Sequence, residues 1–428
     1  MGVIKQLCDE VELPRMLEVK QLFDPQRIEP ENIPNIIFEE MSRPNVAGAI
    51  KPDMRVAITC GSRGLANIAL IIKSIAEFVK SKNARPFVVP AMGSHGGATA
   101  EGQKALIGRY GVTESYIGCP ILSSMETVVI GTSDEGHKVR LDRNAAESDA
   151  IIVAGRIKPH TDFRGEYESG LMKMMTIGLG KREGATVCHE AGFAHMPRLV
   201  PLFGRCILKN APIAMGFGII ENAYHETCKL TALSPAEIDT QEPALLQEAR
   251  RRMAKILFDK ADVLIVDKIG KEISGDGLDP NVSGASPCSP YVTGGLSAQR
   301  TIILDLTKET HGTAVGIGAA HAITRRLFDK IDYEATYINL LTARVPEFAR
   351  IPCIMETDKQ ALQFALLSCA GIDKAKPRII RISDTMHVEK IWVSEALQEE
   401  AEKNSAIEIL QGPQALPFDE DGNLRDIS

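Results

Sequence analysis

Apolar and polar positions follow two alternating periodicities from Met54 onward. MRVAITC (54–60) and RPFVVPA (85–91) read as strands, and IALIIKSIAEFVKSK (68–82) between them has apolar residues at helical spacing. Each strand is followed by a glycine-rich turn, GSRG (61–64) or MGSHGGAT (92–99). The pattern predicts a βαβ unit with both turns at carboxyl strand ends, the edge where open α/β sheets bind ligands.

The same alternation continues along the chain. EGQKALIGRYG (101–111) is helical in pattern, and DAIIVAGRI (149–157) and ADVLIVDKI (261–269) read as further strands. A helical segment covers 234–260, with Ser234 or a neighbour as its N-cap. These elements favour an α/β fold.

Residues 271–295 are rich in Gly, Pro and Ser, which is typical of a functional loop at a domain boundary. Strand and helix patterns resume after it. We therefore expect two α/β domains with Rossmann-like βαβ units and a cofactor cleft between them. The predicted N-terminal cofactor-binding catalytic domain covers 1–268 and a smaller C-terminal α/β domain covers 269–404. A tail, 405–428, is expected to pack on either domain, including back on the N-terminal one.

Composition narrows the class of protein. The 428 residues carry a net charge of −7 and 44% hydrophobic residues, so we expect a globular protein that binds neither nucleic acid nor membrane. The nine cysteines form no CxxC pair, and neither a signal peptide nor a 20-residue apolar run is present. We expect a cytoplasmic protein, which can be a homo-oligomer.

Candidate chemistry is concentrated between His160 and His189, with Lys173 between them. Imidazole binds metals or transfers protons near neutral pH, and a desolvated lysine amine can tether a cofactor. Arg63 and His95 lie in the two glycine-rich turns, where they offer a fork for a carboxylate and a second titratable ring. The alternative for each of these histidines is a packing role, and glycine-rich turns are often purely structural.

This order of residues resembles the nickel-pincer lactate racemase family and its wider superfamily of 2-hydroxy acid racemases and epimerases. The resemblance covers roughly residues 50–280: Arg in one strand-end turn, His in a second, then Pro-His, a lysine and another histidine. The 16-residue separation of Lys173 and His189 agrees with the family's cofactor lysine and nickel histidine.

The resemblance implies inversion of the C2 centre of a 2-hydroxy acid by hydride transfer to and from a lysine-tethered nickel-pincer nucleotide. Lys173 would hold this pyridinium mononucleotide through a thioamide. His189 would complete a planar nickel site whose other ligands are two sulfurs and a ring carbon of the cofactor, a set that suits Ni(II). His95 and His160 would be the paired general bases, and Arg63 would hold the substrate carboxylate.

Further site residues are expected at the turns and in the second domain. Ser62, Ser94 and Gly96 would help bind the cofactor phosphate. Lactate racemases carry an aromatic- and glycine-rich segment ending in GGRK before the lysine, whereas this chain has TDFRGEYESGLMK (161–173). That difference favours a larger or more polar substrate, such as a sugar acid. The family's second-domain lysine has no clear counterpart, and Lys268 or Lys271 would replace it.

The loop after Gly270 holds three more polar candidates. Asp276, Asp279 and Asn281 would either meet substrate hydroxyls or shape a turn. The expected partners are a small anionic 2-hydroxy acid and the enzymes that make the cofactor.

Two other functions remain open. A zinc hydrolase would use His189, His195 and Cys188 or His225 as ligands, although no HExxH motif occurs. A non-catalytic two-domain sensor of a sugar acid or nucleotide would need Arg63 and the glycine-rich turns, but not Lys173.

Overall fold

The computed structural model describes residues 2–287 and 291–425. Cys288 and part of the predicted loop at 271–295 lie outside the described residues. The strands are β1 Met16–Gln21, β2 Arg55–Cys60, β3 Arg85–Pro90, β4 Thr127–Thr132, β5 Lys138–Asp142, β6 Ala150–Arg156, β7 Ile213–Glu221, β8 Thr227–Leu233, β9 Lys260–Ile269, β10 Ser297–Leu306, β11 Ala322–Thr324, β12 Cys353–Met355, β13 Ile379–Ile382, β14 Lys390–Ser394 and β15 Ile407–Gln414.

The α-helices are α1 Val3–Asp9, α2 Ile33–Met41, α3 Ile68–Ser81, α4 Ala100–Arg109, α5 Glu114–Ile117, α6 Arg143–Ala146, α7 Leu171–Lys173, α8 Lys181–Glu190, α9 Met196–Asn210, α10 Pro235–Arg252, α11 Pro280–Ser283, α12 Arg325–Phe328, α13 Tyr333–Ala343, α14 Asp358–Ser368 and α15 Gln398–Lys403. A π-helical turn, Met174–Gly178, continues α7. The chain forms two compact units, Asp24–Met253 and Met1–Phe23 with Ala254–Ser428.

The unit Asp24–Met253 is built on a five-stranded sheet in the order β3-β2-β6-β7-β8. The first four strands are parallel, and β8 returns antiparallel to β7. Helix α3 connects β2 to β3 and buries an apolar stripe that includes Ile71, Ile75 and Phe78. The predicted βαβ unit is therefore confirmed, because the 3.6-residue period of 68–82 was an amphipathic helix covering the sheet.

The other unit contains an eight-stranded sheet in the order β12-β11-β10-β9-β13-β14-β1-β15. Strands β9 to β13 on one side are parallel to their neighbours, whereas β14, β1 and β15 pair antiparallel. Its core includes Val263, Ile302, Leu362 and Ile379. Two α/β units are thus observed, in agreement with the predicted fold class.

The extents of these units differ from the predicted 1–268, 269–404 and 405–428. Strand β9, expected to close the first domain, lies at the centre of the eight-stranded sheet between β10 and β13. Strand β15 of the predicted tail pairs with β1, and both belong to the unit that contains β9. Pairing between segments almost 400 residues apart leaves no trace in local periodicity, which explains the difference.

Helix α10 begins as predicted but ends earlier. Ser234 accepts a hydrogen bond from the backbone N–H of Glu237, and the Glu237 carboxylate returns one to the Ser234 N–H, completing a capping box. The helix ends at Arg252 rather than continuing to Lys260, because Met253 has an extended backbone where the chain passes into the other unit. In the described ranges no helix is both long and apolar enough to cross a membrane.

Candidate functional site

Three predicted functional segments meet at one edge of the five-stranded sheet. Strands β3, β2 and β6 are adjacent and parallel, so their carboxyl ends lie side by side. They lead into the turns GSHGG (93–97) and GSRG (61–64) and into His160. The sheet therefore brings together segments separated by about 100 residues, as the strand-end argument predicts.

The first two turns are joined by a side-chain contact. Nδ1 of His95 lies 2.5 Å from Oγ of Ser62, and the Tyr110 hydroxyl donates to the Ser62 carbonyl at 3.2 Å. His95 itself is exposed, as is Arg63 next to Ser62. Ser62 thus positions the imidazole of His95.

The backbone of the His95 turn is held from below by helix α4. Nε2 of Gln103 donates to the carbonyl oxygens of Gly93 and His95, at 2.9 and 3.2 Å. Gly96 has a φ of 66°, and a Cβ at this position would overlap the backbone of Gly102 and Gln103. The conformation and close approach of Gly96 therefore require glycine, and Ser94 lies half-buried beside it.

A fully buried ion pair supports this arrangement. Nζ of Lys181 lies 3.2 Å from the Asp142 carboxylate. The same amine donates hydrogen bonds to Oε1 of Gln103 at 3.1 Å and to the Pro90 carbonyl at 2.5 Å. Neither charged side chain is accessible to solvent. Lys181 therefore connects the end of β3, the helix under the His95 turn and the start of α8, which carries His189.

Lys173 ends helix α7, and the chain continues as a π-helical turn. The buried carboxyl group of Glu242 accepts a hydrogen bond from the backbone N–H of Met172 at 3.0 Å. Burial raises the pKa of Glu242 to about 8 despite this bond. The π-turn ends at Gly178, whose carbonyl accepts from the Gly93 N–H at 3.2 Å. The helix carrying Lys173 is therefore connected directly to the His95 turn. π-helical turns are frequent at functional sites.

The central contact of the site joins His160 and Lys173. Nζ of Lys173 is in hydrogen-bond contact with Nε2 of His160. On the other side of the ring, Nδ1 accepts a hydrogen bond from the backbone N–H of Asp162 at 3.0 Å. His160 is buried and stacks on Phe163, with ring centroids 4.4 Å apart.

The electrostatic setting of His160 is strongly basic. Burial is the largest influence and lowers the pKa of His160 well below its ordinary value. Four basic side chains act in the same direction: Lys173, His189, Arg164 and Arg63. Lys173 contacts the imidazole directly, and His189 and Arg63 lie close enough for their charges to act on it.

His189 reaches this region from helix α8. The Phe193 ring packs edge-on against His189, with centroids 5.8 Å apart, and lies 6.3 Å from His160. One aromatic side chain thus packs near both imidazoles.

Glu168 organises the loop that precedes Lys173. Its buried carboxylate accepts hydrogen bonds from the backbone N–H of His160 at 2.7 Å and from Arg250 at 2.7 Å. Arg164 lies 3.5 Å from the same carboxylate and donates to the His160 carbonyl at 2.6 Å. Within the segment 161–173, the charged groups of Glu168 and Arg164 make these contacts inside the loop, and Glu166 is exposed.

The candidates Lys268 and Asp279 belong to the other unit. Lys268 is half-buried at the end of β9. Oδ1 of Asp279 accepts from the backbone N–H and the side-chain Nδ2 of Asn281, at 2.9 and 2.8 Å, and caps helix α11. Nζ of Lys271 donates to the Gly275 carbonyl at 3.0 Å. The turn-shaping interpretation of Asp279 is thus observed, and a substrate role for Lys268 or Asp279 stays a prediction.

The residues present fit the cofactor that the resemblance implies. Such a nucleotide brings its own sulfur and carbon ligands, so the protein has to supply one amine and one imidazole. Lys173 and His189 supply these groups around the buried His160. By contrast, no cluster of three or more His, Cys, Asp or Glu within 2–287 and 291–425 is arranged to hold a metal ion.

The proposed zinc ligands gain no support from their surroundings. Cys188 is buried in helix α8, and burial raises the pKa of its thiol to about 12. His195 is exposed at the start of α9.

Four buried polar residues of the site went unrecognised in the sequence: Gln103, Asp142, Lys181 and Glu242. Each is surrounded in the sequence by residues typical of an ordinary helix or strand end. The partners named above are 8 to 91 residues away, so no local signal marks them.

The fold and this site define a two-unit α/β protein with a lysine–histidine centre at the carboxyl edge of a parallel sheet. Residues 6–199 match the family model described as the lactate racemase N-terminal domain. This match confirms the resemblance to the lactate racemase superfamily, and it includes Arg63, His95, His160, Lys173 and His189.

A solved structure, the lactate racemase apoprotein from Thermoanaerobacterium thermosaccharolyticum, is similar to the chain at 14% identity and a TM-score of 0.49. The similarity covers 86% of this chain and 98% of that one. Among curated proteins, none matches the chain.

Proposed function

We propose that this protein is a racemase or epimerase that inverts the C2 centre of a 2-hydroxy acid with a nickel-pincer nucleotide tethered to Lys173. The observation that carries the proposal is the contact between Lys173 and His160 at the sheet edge, inside the segment that matches the lactate racemase N-terminal domain. When bound, the nucleotide supplies a hydride acceptor and donor, with His189 as the protein ligand of its nickel.

Substrate binding falls to Arg63. Its guanidinium group is exposed on the GSRG turn, and its positive charge contributes to the lowered pKa of His160. A carboxylate bound by Arg63 would therefore lie near the buried imidazole. A planar guanidinium holds a carboxylate through two parallel hydrogen bonds, which fixes the C2 carbon relative to both histidines.

His95 and His160 carry the proton of the substrate hydroxyl. In the tautomer whose Nδ1–H donates to Oγ of Ser62, Nε2 of His95 is the base that accepts the hydroxyl proton. In His160 the backbone N–H of Asp162 occupies Nδ1, so the neutral ring carries its proton on Nε2 and hydrogen-bonds the carbonyl oxygen with it. The proton that His95 has accepted then returns to that oxygen when the ketone is reduced again.

The surroundings favour a substrate with more polar groups than lactate has. The segment 161–172 contains four charged residues, and Arg63 and Arg164 both contribute positive charge near His160. We therefore favour a sugar acid or a dicarboxylate as the substrate, with cofactor-synthesis enzymes as partners and the cytoplasm as the location.

The test is racemisation of single enantiomers in D2O by protein produced with the cofactor's biosynthetic enzymes. Lactate, malate and an aldonic acid are incubated separately, and products are analysed by chiral chromatography and proton NMR. Inversion with retention of hydrogen at C2 is expected, because a transferred hydride does not exchange with solvent. Deuterium at C2 would indicate proton abstraction, and failure to invert any acid would leave the sensor alternative.

A further inference from the structure

The two ring nitrogens of His160 face partners of different kinds. A backbone N–H, from Asp162, can only donate, and it lies 3.0 Å from Nδ1. The side-chain amine of Lys173 contacts Nε2 and can donate or accept according to its charge. A neutral imidazole carries one proton, so a donor fixed on Nδ1 places that proton on Nε2.

His160 is itself in the neutral form near pH 7. Burial first, and then the neighbouring basic groups, hold the pKa of His160 well below its ordinary value. The Nε2–H group therefore donates toward Nζ of Lys173. An ammonium group has three donors and no acceptor, so only the uncharged amine can complete this hydrogen bond.

We infer that the hydrogen bond from Nε2 of His160, with the ring tautomer fixed by the Asp162 N–H, holds Lys173 as an uncharged nucleophilic amine before any cofactor is attached. The inference deepens the proposed function and rests on it for its biological meaning. It identifies the tethering lysine as a prepared acylation site.

The charged groups around Lys173 favour the same form. Arg63, Arg164 and His189 lower the pKa of His160, and positive charge close to this imidazole also disfavours an additional ammonium charge on the lysine that contacts it. Lys173 is also half-buried, so that charging the amine carries a desolvation cost.

Acidic groups also face the centre and its helix. The Asp162 carboxylate lies 3.8 Å from Nδ1 of His160, and Glu168 is paired with Arg250 and Arg164. Burial raises the pKa of Glu242 to about 8 and that of the Cys188 thiol to about 12, so both are mainly uncharged at pH 7. Asp162 and Glu168 therefore carry the negative charge at His160 that opposes the effect of the basic groups.

The reaction that reports this state is acetylation by N-hydroxysuccinimidyl acetate. The Nζ lone pair forms a bond to the acyl carbon, the bond from that carbon to the N-hydroxysuccinimide oxygen breaks, and a buffer base takes the Nζ proton. The neutral amine reacts and the ammonium does not. The pH at which the rate is half its maximum therefore reports protonation, independently of how accessible the lysine is.

The experiment uses the full-length protein without cofactor. It is briefly acetylated between pH 6 and 11, denatured, fully labelled with the isotopically heavy reagent and mapped by mass spectrometry. Lys104 and Lys138, which are exposed in the same unit, serve as internal references. An ordinary lysine has a pKa of about 10.4. We expect the Lys173 midpoint at least about two pH units below the references, so that its neutral fraction at pH 7 is at least about 100-fold higher.

Two variants separate the hydrogen bond from burial alone. His160→Gln retains a side-chain N–H donor near the position of Nε2, whereas His160→Phe keeps a buried ring and removes the donor. The inference predicts a low midpoint in His160→Gln and a midpoint near that of the references in His160→Phe. A midpoint that stays low in His160→Phe would overturn it. A wild-type midpoint equal to the references would do so without any variant.

The labelling result is independent of the proposed racemase reaction. An ordinary Lys173 midpoint in a protein that acquires the nucleotide and inverts a 2-hydroxy acid would overturn this inference alone. A low midpoint in a chain that never acquires the nucleotide would support the prepared amine and overturn the proposed function.

Discussion

Glu242 and Met172 connect helix α10 to the helix that carries Lys173: the buried carboxyl group of Glu242 accepts a hydrogen bond from the Met172 backbone N–H at 3.0 Å. Gly170 precedes this helix, and a Cβ at Gly170 would overlap Oε1 of Glu242. The residue opposite the carboxyl group therefore has to be small, and the position of Lys173 depends on a contact between residues 70 apart in the chain.

Gly170→Ala tests this contact. The added methyl group would displace the carboxyl group and cost about 1–3 kcal/mol of unfolding free energy. Gly108→Ala, in helix α4 with no atoms within 4 Å of the new Cβ, is the matched control and should be neutral or slightly stabilising. Urea unfolding followed by circular dichroism measures both variants, and equal midpoints for the two would contradict the packing described.

The protonation of Glu242 predicts a pH dependence of stability. Because burial raises the pKa of Glu242 from 4.5 to about 8, the folded chain between these values binds a proton that the unfolded chain has released. The stability contributed by this group is complete below about pH 4.5, falls as pH rises through the window and levels off above about pH 8. The loss should be on the order of a few kcal/mol.

Glu242→Gln provides the comparison, since glutamine keeps an oxygen acceptor for the Met172 N–H and does not titrate. Unfolding free energies of wild type and variant, measured between pH 5 and 9, should diverge with rising pH in favour of the variant. Parallel curves would show that Glu242 titrates normally.

The buried pair of Lys181 and Asp142 should be strongly coupled. Lys181→Met leaves a buried carboxylate without its cation and should cost about 3–5 kcal/mol. The double variant Lys181→Met with Asp142→Asn should recover part of that loss, because no charge then remains buried. Additive single losses in a double-mutant cycle would contradict the coupling.

Ser62 should affect catalysis more than folding. Ser62→Ala removes the partner of Nδ1 of His95, so we expect the racemisation rate to fall about 10- to 100-fold while the unfolding midpoint stays unchanged. Ser115→Ala, an exposed serine of helix α5, is the control. An unchanged racemisation rate in Ser62→Ala would contradict the conclusion that Ser62 positions the imidazole of His95.

Local periodicity was sufficient to predict the elements around the site. The 3.6-residue period of 68–82 and the strand patterns before Gly61 and Met92 located both turns, and parallel pairing then placed them at one edge. Ser234 was equally visible, since a capping box lies within four residues. Features determined by neighbouring residues can be read directly from the chain.

Features determined by distant partners could not be predicted in this way. Strand β1 pairs with β14 and β15, nearly 400 residues later, which places the N-terminal segment in the other unit. Strand β9 pairs with β10 and β13, which moves the boundary from 268 to 253. Asp142 and Lys181 form a buried pair across 39 positions, and neither stands in a motif. A charged residue at such a position is expected to lie on the protein surface unless its buried partner is known.

The central claim is that Lys173 carries a nickel-bearing nucleotide. The most direct test is intact mass and metal content of the protein produced together with the cofactor's biosynthetic enzymes, followed by peptide mapping, with Lys173→Arg as the control. The account predicts an adduct on Lys173 with nickel bound, and neither in Lys173→Arg. An unmodified Lys173 without nickel in the wild-type protein, under conditions that load a known lactate racemase, would contradict it.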